Sequence, residues 1–394
     1  MKKIAYAGAL GVIGIISTEF GIIGVLPDLA KFYGLTIETA GLLLSAFALT
    51  IALFGPFVAL FTSGINRKKL MVIAVLLFAL SNFASAFAPP FWLLMIIRII
   101  PAFLHPVFFS SAVAAAIKDA PPLHQHKRMG IVIGGIAVSQ VTIIPFSTYI
   151  SSEYGWLTAY MIQGVVSFAA MVYMLIVLPD MPVDEKKTLG SQLIILKRPR
   201  FIVSSAMNFF MIAAWFATYS YFADYLQKVK HMNPQQISYM LLLFGIAGVF
   251  SNWIAGELLS KSVPVVTAFF LTGTLFLPFV FIYSEDSFYV QALVVAVWGI
   301  MYGPCFLTSA AYMISAAPDA MEFANTLQIS FGNLGVSLGT AVSGFFIGKY
   351  SIAIAPWVGA LFGIGAVVMM IIRAAMEHKG RQENKLLRHH ESSS

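Results

Sequence analysis

Between Ile4 and Pro27 the chain carries one charged side chain, Glu19, in an otherwise apolar run, and similar runs recur along its whole length. A helix of about 20 apolar residues crosses the hydrocarbon of a bilayer, and inside it only helices or closed barrels satisfy their own backbone groups. The rule predicts about twelve membrane helices. They cover residues 4 to 27, 38 to 62, 69 to 88, 91 to 116, 129 to 151, 156 to 179, 201 to 226, 235 to 259, 264 to 283, 288 to 315, 323 to 348 and 355 to 375. The chain is 59% hydrophobic and 10% charged, whereas soluble domains have about a quarter of their residues charged. An all-α integral membrane protein is the expectation.

The first run follows Lys2 and Lys3 as a signal peptide would, but it is too long and has no small-residue cleavage site before Pro27, so it reads as retained. The net charge of +7 would suggest nucleic acid in a soluble protein. Here no nucleic-acid partner is expected, because placement of the cations matters more than their sum. With both termini inside, nineteen Lys and Arg fall in inner segments and four (Lys31, Lys228, Lys230 and Lys349) outside, with Arg98 in the membrane. This predicts a multi-pass protein of the cell (inner) membrane with cytoplasmic termini. The single Cys305 excludes an internal disulfide and a cysteine-based metal site, and no metal or other cofactor is expected.

Residues 180 to 200, "DMPVDEKKTLGSQLIILKRPR", form the longest charged stretch between spans. They read as a cytoplasmic linker between six-helix bundles at 1 to 179 and 201 to 375, with a tail at 376 to 394. "GIVIGGIAVSQVTIIP" and "FGNLGVSLGTAVSG" are Gly-rich spans at the same place in each half, consistent with a duplicated carrier around a midplane cavity. Gly130 with Gly134 and Gly335 with Gly339 also have the spacing of close helix packing. No phosphate loop, HExxH or Ser-centred elbow is present, so neither an ATP-driven pump nor an enzyme is indicated.

The stretches "TEFGIIGVLPDLAKFYGLTIETAGLLLSAFAL", "RIIPAFLHPVFF" and "GIVIGGIAVSQVTIIPFSTYISSEYGW" resemble the drug/proton antiporter branch of the major facilitator superfamily, in particular its bacterial sugar-, purine- and chloramphenicol-efflux members. The resemblance implies the major facilitator fold, with twelve helices in two six-helix bundles and helices 1, 4, 7 and 10 lining the cavity. It implies a monomeric carrier in the lipid bilayer that exports a small-molecule substrate against protons. The family's Asp-Arg pair after helix 2 is absent: "LFTSGINRKKL" has Ser63 and Gly64 in its place, and Asn66 at the usual turn glycine. Arg67, Lys68 and Lys69 remain, as a gating cluster or simply a positive-inside anchor. In helix 4 the family's small residues are replaced by Ala102 and Pro106, and the Trp-Arg after helix 5 is Trp156 and Leu157.

Glu19, Arg98 and His105 are the ionisable groups read as lying well inside spans, where such groups are costly and usually functional. Arg98 and His105 are two turns apart, about 10 Å along one helix face, with Pro101 and Pro106 beside them. Glu19 and Arg98 come out level, roughly 10 to 12 Å deep, so Glu19 is expected to carry the coupling proton with Arg98 as its partner. A static ion pair, or a Glu19 bound to helix backbone groups, is the alternative; His105 is the next candidate for the coupling proton or a substrate ligand, with a satisfied core histidine as its alternative. The second half offers rings instead of charges: Trp215, Tyr219 and Phe222 on helix 7, Trp298 and Tyr302 on helix 10. They read as substrate-binding or as packing. Gln140, Asn208, Gln163, Gln291, Gln328 and Asn333 add neutral amides, of which Gln140 and Asn208 join the candidate substrate site. Rings and amides suit a neutral or weakly polar solute such as a sugar, nucleobase or amphipathic drug. Direction is not written in these residues, so an importer or facilitator stays open.

Overall fold

The computed structural model describes residues 2–62, 64–117, 122–182, 193–285, 287–317 and 321–391. The first half contains α1 (Lys2–Tyr33), α2 (Ile37–Phe61), α3 (Arg67–Ser85), α4 (Phe91–Ala102), α5 (His105–Ile117), α6 (Pro122–Tyr154) and α7 (Trp156–Val177). After a 3-10 turn at Leu193–Lys197 come α8 (Pro199–Tyr219), α9 (Phe222–Lys228), α10 (Pro234–Leu259), α11 (Val263–Tyr283), α12 (Phe288–Tyr302), α13 (Cys305–Ala316), α14 (Met321–Lys349) and α15 (Ala355–Glu391). Among the described residues there is no strand. Eleven of these segments are long and apolar enough to cross a membrane. The expected ninth span coincides with α11, whose described apolar stretch is shorter, Val263–Gly273.

Local chemistry sets the helix ends. Gly34 and Gly155 stop and start helices with φ of +62° and +84°, a conformation that glycine reaches without a Cβ penalty. Asn66 caps α3 by accepting from Lys69 N at 3.3 Å, and Asn233 forms a capping box with Gln236 at the start of α10. Residues 376 to 391 of the expected tail continue α15 without a break. Most of the expected linker, 183 to 192, lies outside the described residues.

Three spans expected as single helices are interrupted: at Phe103–Leu104 between α4 and α5, at Ser220–Tyr221 between α8 and α9, and at Gly303–Pro304 between α12 and α13. Proline lacks the N–H that would bond the carbonyl four residues earlier. Pro101 thereby frees the Ile97 carbonyl, which Ser81 Oγ of α3 meets at 3.0 Å. Pro304 frees the Ile300 carbonyl, which Ser251 Oγ of α10 meets in turn. Neighbouring serines thus repair both gaps, as an apolar surrounding demands.

The two halves meet along two seams, α2 with α14 and α6 with α10, while α1 packs on α6 and α7 and α15 packs on α8. A continuous buried core runs through both halves. The interrupted segments lie beside these seams, which brings their irregular backbone next to the inter-half boundary.

Candidate functional site

Glu19 on α1 and His105, the first residue of α5, are 3% and 4% exposed. Glu19 Oε2 and His105 Nε2 are 3.0 Å apart. The imidazole lies between the Phe109 ring at 4.7 Å and the edge of Phe47 at 6.3 Å. Its Nδ1 has no partner in the structure. The pair is therefore one carboxylate and one imidazole in contact away from water and flanked by two phenylalanine rings, where an isolated charge is expensive.

The expected Glu19–Arg98 contact is not formed. Arg98 Nη2 donates to the Thr18 carbonyl instead, and the guanidinium lies over the Tyr160 ring at 4.8 Å. Thr18 and Glu19 are neighbours on one helix and point about 100° apart. Arg98 occupies the Thr18 side with Asn82, whose Nδ2 donates to Thr18 Oγ1 at 2.7 Å. Arg98 and His105, expected two turns apart on one helix face, lie on either side of the turn at Phe103–Leu104, which separates α4 from α5. Arg98 holds the turn of α1 that presents Glu19, and His105 meets the carboxylate.

The second-half rings come together. Trp215 lies 5.9 Å from Tyr219 and 6.0 Å from Tyr302. Trp298 lies 5.3 Å from Tyr302 and 4.7 Å from Phe222. Phe244 stacks on Tyr219 at 4.9 Å, and Phe306 packs on Trp215 at 5.0 Å. Nothing distinguished Phe244 and Phe306 among the 34 phenylalanines of the sequence. The indole nitrogens of Trp215 and Trp298 are buried without a partner. Gln140 lines a narrow cleft with Trp215, Tyr219, Phe244 and Asn252, between α6 and α10.

Asn208 stands apart from these rings, its Nδ2 donating to the Gln328 carbonyl at 2.9 Å and so bracing α8 on α14. Gln328 donates to Ser309 at 2.9 Å and Gln163 to Ser147 at 3.0 Å. Gln291 bonds Ser284 at 2.8 Å, and Asn333 bonds its own helix at Ile329. The bonds of Asn208, Gln328 and Gln163 join neighbouring helices.

Arg67, Lys68 and Lys69 form the first turn of α3. Ser63 lies outside the described residues. Asp180 accepts from Asn66 Nδ2 at 2.6 Å, while Arg67 N donates to the Met181 carbonyl at 3.1 Å.

The second half also contains buried charges. Asp224 is 2% exposed and pairs with Lys228 at 3.0 Å. Arg373 is 3% exposed and donates to Glu377 at 2.9 Å, Ser204 at 2.8 Å, and Ser315 and the Tyr312 carbonyl at 2.7 Å each. Both have their opposite charge four residues on, a spacing that was the available signal.

The model of the Major Facilitator Superfamily matches residues 8–340. A probable sugar efflux transporter of Helicobacter pylori is 28% identical over 353 residues, covering 89% of this chain and 90% of that protein. The inner membrane transport protein YdhP of Escherichia coli is 25% identical over 368 residues, covering 93% and 94%. The crystal structure of the nucleoside transporter NupG superposes with a TM-score of 0.75 at 14% identity, covering 95% of this chain and 99% of that one.

Proposed function

The chain belongs to the Major Facilitator Superfamily, and on that premise we propose that it is a secondary carrier exporting small neutral or weakly polar organic solutes in exchange for protons. The observation that carries the reading is the buried Glu19–His105 pair, 3.0 Å apart, one residue from Phe20, whose ring meets Phe216 of the second half at 5.3 Å. A buried carboxylate is costly as an anion when alone and stable as one beside a protonated imidazole. If α1 and α5 separate in one state and rejoin in the other, Glu19 takes up a proton and then releases it. Arg98 positions α1 through the Thr18 carbonyl and leaves the carboxylate to His105.

The solute site proposed is the ring cluster around Trp215, Tyr219, Trp298 and Tyr302, with Gln140 at its edge. Its chemistry offers aromatic faces and neutral hydrogen-bonding groups, which suits sugars, nucleobases or amphipathic drugs. The relatives named as sugar efflux transporters support the sugar arm of that class. The orientation proposed has both termini and the 180 to 200 linker on the cytoplasmic side of the inner membrane, following the Lys and Arg bias.

Uptake of a panel of sugars, purines and antibiotics into inverted vesicles tests the reading. Accumulation that requires an imposed pH gradient is expected. Equilibration that ignores the gradient would make the protein a facilitator, and accumulation in right-side-out vesicles an importer.

A further inference from the structure

Two consecutive residues at the break between α8 and α9 are fastened to one residue of α14. Ser220 Oγ and Thr340 Oγ1 are 2.8 Å apart, and the Tyr221 hydroxyl donates to the Thr340 carbonyl at 3.0 Å. Tyr221 is 1% exposed and Thr340 is fully buried, so water does not compete for these bonds. The hydroxyl reaches Thr340 through a slot between glycines. A methyl group at Gly344 would stand 2.5 Å from the Tyr221 oxygen, and one at Gly41 would overlap it. One turn further along α14, a methyl at Gly348 would meet Glu38 Oε1 at 2.6 Å.

Gly344 lies on α14, but Gly41 and Glu38 lie on α2, so this hydroxyl sits on the seam between the halves. Gly41 is in the first two turns of α2 and Gly344 in the last two turns of α14. The contact therefore closes one end of the seam, the end where α1 stops at Tyr33 and where α9 lies against α1. At that end Tyr221, Thr340 and Gly344 form a knob on the second half, and Gly41 is the hole that receives it on the first.

A carrier must close one end while the other is open, by shifting between arrangements of similar free energy. A knob in a hole suits that requirement, because dispersion contact is lost steeply once a gap of 0.5 to 1 Å opens. The bonds to Ser220 and Tyr221 keep the knob aimed while the halves are apart. The chain break at the knob also frees it from the rigid geometry of α8.

We propose that Tyr221, aimed by Thr340 and received by Gly41, is the bolt that holds the α2–α14 seam shut at this end of the molecule. The fit, rather than an ion pair, sets the balance between the closed and open arrangements there. A methyl at Gly41 fills the hole and expels the bolt. Removing the Tyr221 hydroxyl leaves the ring in place with nothing to aim it.

The test needs neither substrate nor proton gradient. Spin labels on Lys31→Cys and Tyr350→Cys, in a Cys305→Ser background, report the separation of the halves at this end by pulsed electron–electron distance measurement. Lys31 lies in the last turn of α1 and Tyr350 follows α14, and both are exposed. The parent protein is expected to show mainly the short distance. Gly41→Ala is expected to raise the long-to-short ratio about tenfold, as an overpacked contact implies. Tyr221→Phe moves the ratio the same way by less, and Gly134→Ala, whose methyl meets nothing within 4 Å, leaves it unchanged. A Gly41→Ala distribution superposable on the parent's overturns the proposal. Should that variant not purify as monodisperse protein, Tyr221→Phe decides: an unchanged ratio overturns the bolt and a raised one supports it.

Discussion

Phe20 and Phe216 bring the two halves of the chain into ring contact, with 5.3 Å between centroids. Phe20 is the residue after Glu19, so one turn of α1 carries the buried carboxylate on one side and a ring of the inter-half boundary on the other. Phe216 packs in turn on Trp215 at 5.3 Å and Phe306 at 6.3 Å. A movement of α1 that opens or closes the Glu19–His105 contact must therefore displace a ring that touches the proposed solute site.

The first prediction follows from that arrangement. Glu19→Gln keeps the size of the side chain and a bond to His105 but cannot cycle a proton. The variant is expected to insert and bind solute, while accumulation falls to the level measured without a pH gradient. His105→Gln should show the same split, because the carboxylate then lacks a protonable partner. Arg98→Gln should act through position alone: it lowers the rate and leaves gradient dependence in place. Normal gradient-driven transport by Glu19→Gln would remove the pair from the mechanism.

The ring cluster yields a second prediction. Substituting Ala for a ring that contacts solute is expected to weaken apparent affinity by about 2 kcal/mol, roughly thirtyfold. Trp215→Phe keeps the ring and removes only the unpartnered indole N–H, so a loss in that variant isolates a hydrogen bond to solute. Apparent affinities and membrane expression are measured together for Trp215, Tyr219, Trp298 and Tyr302. Unchanged affinity in all four Ala variants would make these rings packing.

Much of the architecture was legible because lipid allows few solutions: long apolar runs had to be helices, and the burial of Glu19 followed from its place in such a run. The pairing was not legible. Depth counted along helices put Glu19 level with Arg98, but depth says nothing about the direction in which a side chain leaves the axis. Arg98 took a main-chain carbonyl, that of Thr18, which no side-chain pattern displays, and the Glu19 carboxylate meets His105 beyond the break. Pro101 and Pro106 did signal that break. The burial of Asp224 and Arg373 was not legible for another reason, since a charge near the end of an apolar run looks the same in sequence whether it faces water or a neighbouring helix.

A third prediction concerns orientation. The Lys and Arg bias predicts a linker inside, so a cysteine at Lys186 should resist an impermeant thiol reagent added to intact cells. A cysteine at Lys349, on the opposite face, should react. The reverse pattern would invert the topology, and with it the direction assigned to proton flow.

The last prediction separates two buried-charge contacts of different worth. The Arg373 guanidinium ties α15 to α8 through Ser204 and to α13 through Ser315 and the Tyr312 carbonyl, and its carbon lies 3.9 Å from the Tyr312 ring centroid. A planar fork can hold these partners and stack at once, which the compact ammonium of lysine cannot do. Leaving a buried acceptor such as the Tyr312 carbonyl unsatisfied typically costs about 1 to 3 kcal/mol. Glu377, by contrast, is 28% exposed and pairs with Arg373 along one helix turn, a contact worth only about 0.3 to 0.5 kcal/mol. In thermal unfolding of the purified protein, Arg373→Ala and Arg373→Lys should both lower the midpoint clearly, with Glu377→Gln close to the parent. Equal midpoints for Arg373→Lys and the parent would show that positive charge near the membrane surface is all this position requires, and that the second half is not stapled there.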